Sequence, residues 1–267
     1  LFDDYLKEIT PFVTSSYVKN TGFDFSNPSS HPPYSDKISL KEQMQLDDNI
    51  SDIEFIEKTC KESIINIKNS TISKWENFVS PDSSVTQLKE NALCSFYVIM
   101  FVLLKKTGVI LNVNQIKIKL IEQYNKLIKD HYTHILELFS KQGKEDYVNK
   151  LQKNELDLET MIMNEDYFLT HIDLWILCNH YKLPIVLFSN NKMSNLNSNH
   201  EWLVLGGNTK QDEYYFVYGS SNPGKNTYLL IEPPLLLNSI DYFKAISGRS
   251  DFIEHFITLE NFLSNMI

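Results

Sequence analysis

Residues 93 to 104 read LCSFYVIMFVLL, the longest apolar run in the chain, and Lys105, Lys106 and Gly108 close it. Twelve residues fall short of the roughly 17 needed to cross a bilayer as a helix. A run of this length must bury itself in protein, so it is expected to be a buried helix rather than an anchor. Gly108 is placed to end that helix as a C-terminal cap, because glycine takes the left-handed conformation without steric cost. The run also carries Cys94 next to its first residue. A thiol in the first turn of a helix lies at the positive end of the dipole, among backbone N–H groups that lack an intrahelical partner. That position favours the nucleophilic thiolate and offers donors to an oxyanion.

The chain can supply the cover. Its 267 residues are 42% hydrophobic, enough for one large domain or one domain with an appendage. The net charge is -9 and Arg249 is the lone arginine, so the bidentate donors that read phosphates and base edges are missing and nucleic acid is a poor partner. The lysine-for-arginine bias looks like AT-rich coding and carries no functional weight. Three cysteines, Cys60, Cys94 and Cys178, form no C-x-x-C pair; their odd number and irregular spacing argue against a disulfide framework and for a reducing, intracellular compartment. The first residue is Leu and no signal-peptide pattern opens the chain, so a monomer or a segment of a longer polypeptide is expected.

Along the chain, the first 35 residues mix Pro, Ser, Asn and aromatics without a period and read as an extended arm. From Asn49 to about Lys68, Ile53, Ile56, Cys60, Ile64 and Ile67 recur at spacings of three and four, which predicts one helix with Cys60 on its core face. A turn-rich break at 80 to 84 precedes the Cys94 helix. Asn114 can cap a further helix, and "KEDYVNKLQKNELDLETMIM" continues as another, giving a helical lobe over about 112 to 163. Thr170 and Asp173 then stand in capping-box spacing ahead of a helix through His180, and Pro184 opens a strand, Ile185 to Phe188, whose four consecutive apolar residues need cover on both faces. Three more strand-like runs, HEWLVL, EYYFVY and TYLLIE, are expected to continue the sheet as an antiparallel meander, with helices to the C-terminus. The fold class is α+β, a small, mostly antiparallel central sheet flanked by helices. A domain boundary is expected at 83/84, with an N-terminal arm and helix packed on a core of 84 to 267.

A nucleophile needs a base, which folding rather than sequence brings near. Of seven histidines, His200 stands at the head of a predicted strand after the polar loop NNKMSNLNSN, where a side chain can reach across a cleft. Asn91, three residues before Cys94, can orient an imidazole or polarise an oxyanion. From residue types alone, Cys94 reads more readily as a packing cysteine and His200 as a surface residue. Cys178 reads as core, and His171 as a first-turn helix residue.

The residues Asn91, Cys94 and Phe96 resemble the nucleophile motif of the ovarian-tumour (OTU) family of cysteine proteases: an acid, two residues, the catalytic Cys, and an aromatic two positions on. Asn91-Ala92 stands where that family usually carries Asp-Gly. The stretch YFLTHIDLWILCNHYKLPIVLFS is similar to a second family segment through Tyr167, Asp173, Pro184, Ile185 and Leu187, after which the family places its histidine at a strand head, as His200 is placed here. The resemblance spans roughly residues 86 to 232. It implies a papain-like, OTU-type core with a helical insertion, and a thiol hydrolase cutting isopeptide or peptide bonds after the C-terminal glycines of ubiquitin or a ubiquitin-like protein. In that reading Cys94 attacks, His200 is the base, Asn91 orients or polarises, and no metal or cofactor takes part. Two alternatives stand beside it: a catalytically inactive OTU-like module that binds or scaffolds, and a helical interaction protein in which both residues are structural.

Overall fold

The computed structural model describes residues 53–65, 83–189, 202–206, 212–222, 225–233, 236, 238–247 and 259–264. All belong to one compact unit, Asp52–Ile267. The predicted N-terminal arm, and His200 with the loop before it, lie outside the described residues.

A helix over 53–60 (α1) runs directly into β1 (Lys61–Ile65), and β2 (Ser84–Leu88) precedes the central helix α2 (Ala92–Thr107). Then come α3 (Val113–Phe139), a π-helical turn (Ser140–Lys144), α4 (Glu145–Gln152), α5 (Leu158–Met163) and α6 (His171–Tyr181). Strands β3 (Ile185–Ser189), β4 (Trp202–Val204), β5 (Tyr215–Asn222) and β6 (Lys225–Glu232) follow, with α7 (Ser239–Ser247) and α8 (Leu259–Ser264) last.

The α+β class holds: the described residues form one six-stranded sheet in the order β1-β2-β6-β5-β3-β4, antiparallel except for the β3–β5 pair. Because side chains alternate along a strand, the sheet separates two cores. Leu88, Ile185, Leu187, Val217 and Leu230 face α2, α3 and α6, while Val85, Val186, Phe188, Phe216 and Ile231 face Tyr242 and Phe243 of α7. The strand opened by Pro184 is therefore internal and covered on both faces, as its apolar run requires.

Helix α2 is buried without interruption from Cys94 to Met100, so no face of that stretch meets water. Each such Val, Ile or Phe contributes about 1.5–3 kcal/mol over leaving it exposed. Gly108 caps it in the left-handed conformation, at φ 70°, its N–H on the Leu104 carbonyl at 2.9 Å.

Several expectations are corrected. The helix predicted from Asn49 to Lys68 stops at residue 60, and Lys61–Ile65 is a strand because its backbone pairs with β2; spacings of three and four among isoleucines do not exclude a β conformation once a partner strand is present. The boundary at 83/84 thus falls between two paired strands. Asn112, not Asn114, caps α3, in a reciprocal box with Gln115. The lobe's second helix divides into α4 and α5, with Asn154 at φ 58° between them. The meander is also interrupted: β5 crosses to the other side of β3 and pairs with it in parallel, leaving β4 at the edge.

Candidate functional site

The start of α2 is fixed from three sides. Asn91 takes an extended backbone, and its side-chain oxygen accepts from the Cys94 N–H at 2.8 Å, the N-cap role open to a short amide. The Cys94 N–H is thereby used by the cap. Ser95 Oγ donates to the Ala92 carbonyl at 2.7 Å and accepts from Leu169 N–H at 2.7 Å, tying α2 to the segment before α6. Tyr228 of β6 completes the tie, its hydroxyl donating to the Leu169 carbonyl at 2.8 Å.

Register places these groups at one end of the sheet. Gln87 pairs with Leu229, Tyr228 with Gly219, Gly219 with Ser189, and Phe188 with Trp202. The end of β2 that leads into α2 and the head of β4, two residues after His200, therefore lie at the same end. His171 is there too: its ring is 5.9 Å from that of Tyr228, and it lies over Gly219, where a Cβ would come within 2.5 Å of Nε2. Any larger residue at 219 would displace the imidazole. Burial lowers the His171 pKa to about 4, so the ring is neutral at physiological pH. On the neighbouring turn, Gln142 accepts from the Ile172 N–H at 3.1 Å.

Cys94 itself is bonded to Cys60, with Cα atoms 5.2 Å apart, and both residues are at most 1% exposed. The expectation of three unpaired cysteines is thus overturned, and Cys60 is more than a packing residue. The cause is non-local: β1 and β2 pair antiparallel, Lys61 against Leu88, so the residue that precedes β1 meets the turn that follows β2. A separation of 34 residues has no motif by which sequence could announce it. Cys178 remains a free thiol, buried in α6, with its pKa pushed up by burial.

A second polar cluster lies behind the start of α6. The Asp173 carboxylate accepts from Thr170 N–H at 2.7 Å, Thr170 Oγ1 at 2.9 Å, Tyr124 at 2.5 Å, Tyr167 at 3.0 Å and the Lys144 ammonium at 3.2 Å. The predicted capping box is present, but it is one part of a fully buried network. Lys144 also sits 3.1 Å from the centre of the Tyr167 ring, a cation–π contact. Burial brings its pKa down to about 7, against the opposing pull of Asp173. Lys144 and Lys141 are indistinguishable in the run SKQGKE, so sequence offered no sign that one of them is in the core.

At the opposite end of the sheet, a groove of ≈ 660 Å³ is lined by Phe101 and Lys105 of α2 with Tyr215, Glu213 and Glu232. None of the residues singled out for chemistry lies in it. Among the described residues no three His, Cys, Asp or Glu side chains converge as a metal site, and no helix is long and apolar enough to cross a membrane. No family model, curated protein or solved structure matches the chain.

Proposed function

We propose that the chain is an OTU-like cysteine hydrolase acting on the C-terminus of ubiquitin or a ubiquitin-like protein. The observation that carries this reading is the common placement, at one end of the sheet, of the start of α2 and the head of the strand that follows His200. A nucleophile on a helix N-terminus facing a base carried by a strand of the same sheet is the arrangement thiol hydrolysis needs. In the reduced chain Cys94 attacks the carbonyl carbon, His200 takes the thiol proton and passes it to the departing amine, and water then releases the acyl group. Asn91 holds the helix start and with it the position of the sulfur. Its capping of the Cys94 N–H leaves the N–H groups of Ala92 and Leu93 as the candidate oxyanion donors.

The test uses ubiquitin, and ubiquitin-like proteins, bearing a C-terminal electrophile, with the chain reduced by dithiothreitol. Covalent attachment at Cys94 is expected, abolished in Cys94→Ala, and slowed about 10²- to 10⁴-fold in His200→Ala. No attachment of any such probe to the folded, reduced chain overturns the reading.

The bond between Cys94 and Cys60, inside the core, favours a second reading, a non-catalytic OTU-like module in which Cys94 is structural. That module would bind unmodified ubiquitin while failing to attach the electrophile.

A further inference from the structure

We propose that α1 and β1 form a strap that closes over the start of α2, and that Cys60 is its redox fastener, so that oxidation sequesters Cys94 and a dithiol reductant releases it. The inference rests on the hydrolase reading of Cys94 and supplies its regulation.

The strap is small. Ile53 and Ile56 of α1 enter the core that holds α2, while Phe55 on its other side is 62% exposed. Next, among the described residues β1 is the outermost strand and pairs with β2 alone. At the junction the Cys60 carbonyl accepts from Lys89 N–H at 2.9 Å, and the Lys61 ammonium lies 5.8 Å from the centre of the Tyr97 ring. Cys60 sits between helix and strand, so one covalent bond fastens both. Without it the strap is held by Ile53 and Ile56, the Lys89–Cys60 backbone bond, the Lys61–Tyr97 contact and a five-residue edge strand, the kind of segment that opens locally at low free-energy cost.

The chemistry balances as two-electron exchange. A reductant thiolate reaches the disulfide during local opening, forms a mixed disulfide with one cysteine and expels the other as a thiolate. The reductant's second thiol then closes its own disulfide and frees the first cysteine, leaving two protein thiols after protonation. In the reverse direction, a peroxide oxidises the Cys94 thiolate to a sulfenic acid, releasing hydroxide that is protonated to water. The Cys60 thiol then displaces a second water to form the disulfide.

The experiment measures attachment of the ubiquitin electrophile to the whole chain in both redox states, with peptide mapping of the cross-link. Peroxide-treated wild type should carry the Cys60–Cys94 cross-link and lose labelling, and dithiothreitol should restore it. Cys60→Ser and Cys60→Ala should label at Cys94 without any reductant. Labelling of wild type that is equal in both states, or absence of the cross-link after peroxide, overturns the strap while leaving the hydrolase reading intact. If neither the reduced wild type nor the Cys60 variants label, the hydrolase reading fails, and the strap is judged by iodoacetamide instead. Alkylation of Cys94 well above that of buried Cys178, appearing only on reduction or on loss of Cys60, supports the strap. Alkylation of Cys94 no faster than of Cys178 in the reduced chain overturns it.

Discussion

Helices α2 and α6 begin in the same way and are used differently. Each has a side-chain oxygen bonded to a backbone N–H three residues on: Asn91 to Cys94 at 2.8 Å, Thr170 to Asp173 at 3.3 Å. At α6 the first turn carries a carboxylate, and groups from α3, the π-helical turn and the preceding segment converge on it. At α2 the first turn carries no acid, and the side chain at the dipole's positive end is a sulfur with one exchangeable partner. A charge that every neighbour satisfies can only hold position. A thiol whose bond can be exchanged can enter a reaction.

The largest expected effect falls on the α6 side. Asp173→Ala leaves the Lys144 ammonium buried with no anion and strands the hydroxyls of Tyr124 and Tyr167. The chain should lose about 3–5 kcal/mol, the usual cost of removing one partner of a buried pair, read as a shift in the denaturant midpoint. A loss below about 1 kcal/mol would mean that water or rearrangement replaces the carboxylate, and the two helix starts would then differ less than their geometry implies.

Next is the dependence of stability on pH. Lys144 titrates near 10.5 when unfolded and at about 7 in the fold, lowered first by burial, so between those values the unfolded chain binds a proton that the folded chain does not. Stability carried by this group is therefore complete above 10.5 and declines as the pH falls toward 7, with a slope of at most about 1.4 kcal/mol per pH unit. Around it, Tyr124 and Tyr167 hold their protons well above the usual phenol range, and Lys117 adds repulsion. Lys144→Met should flatten the profile between pH 7 and 10. An unchanged slope in that window, measured by urea unfolding at several pH values, would show that Lys144 does not titrate there.

The same contrast explains how much could be read in advance. Signals contained within a few residues were legible: the apolar run of α2, the Gly108 cap, the Thr170–Asp173 box, and the four apolar residues after Pro184. What failed depends on partners far along the chain. Lys61–Ile65 is a strand because of β2, β5 lies parallel to β3 because of a crossover, and Lys144 is buried because α6 supplies its anion. Cys60 meets Cys94 by the same antiparallel pairing. Local pattern names the elements; long-range pairing decides which side chains meet, and the candidate site is made of such meetings.

The smallest effect falls on the α2 side and tests its cap. Asn91→Ala removes the acceptor of the Cys94 N–H, and N-cap losses of this kind cost about 1 kcal/mol, with a range of roughly 0.5–2. The end is also tied by Ser95 to Leu169 and, through Leu169, to Tyr228, so the helix should shift rather than unravel. The sulfur then loses its fixed position. Labelling of the reduced chain by the ubiquitin electrophile should therefore fall by more than the modest stability loss would explain, because misplacement of a reacting atom costs rate directly. If Asn91→Ala lowers stability by about 1 kcal/mol and leaves the labelling rate unchanged, Asn91 is a cap and nothing more, and the two helix starts are alike in that respect.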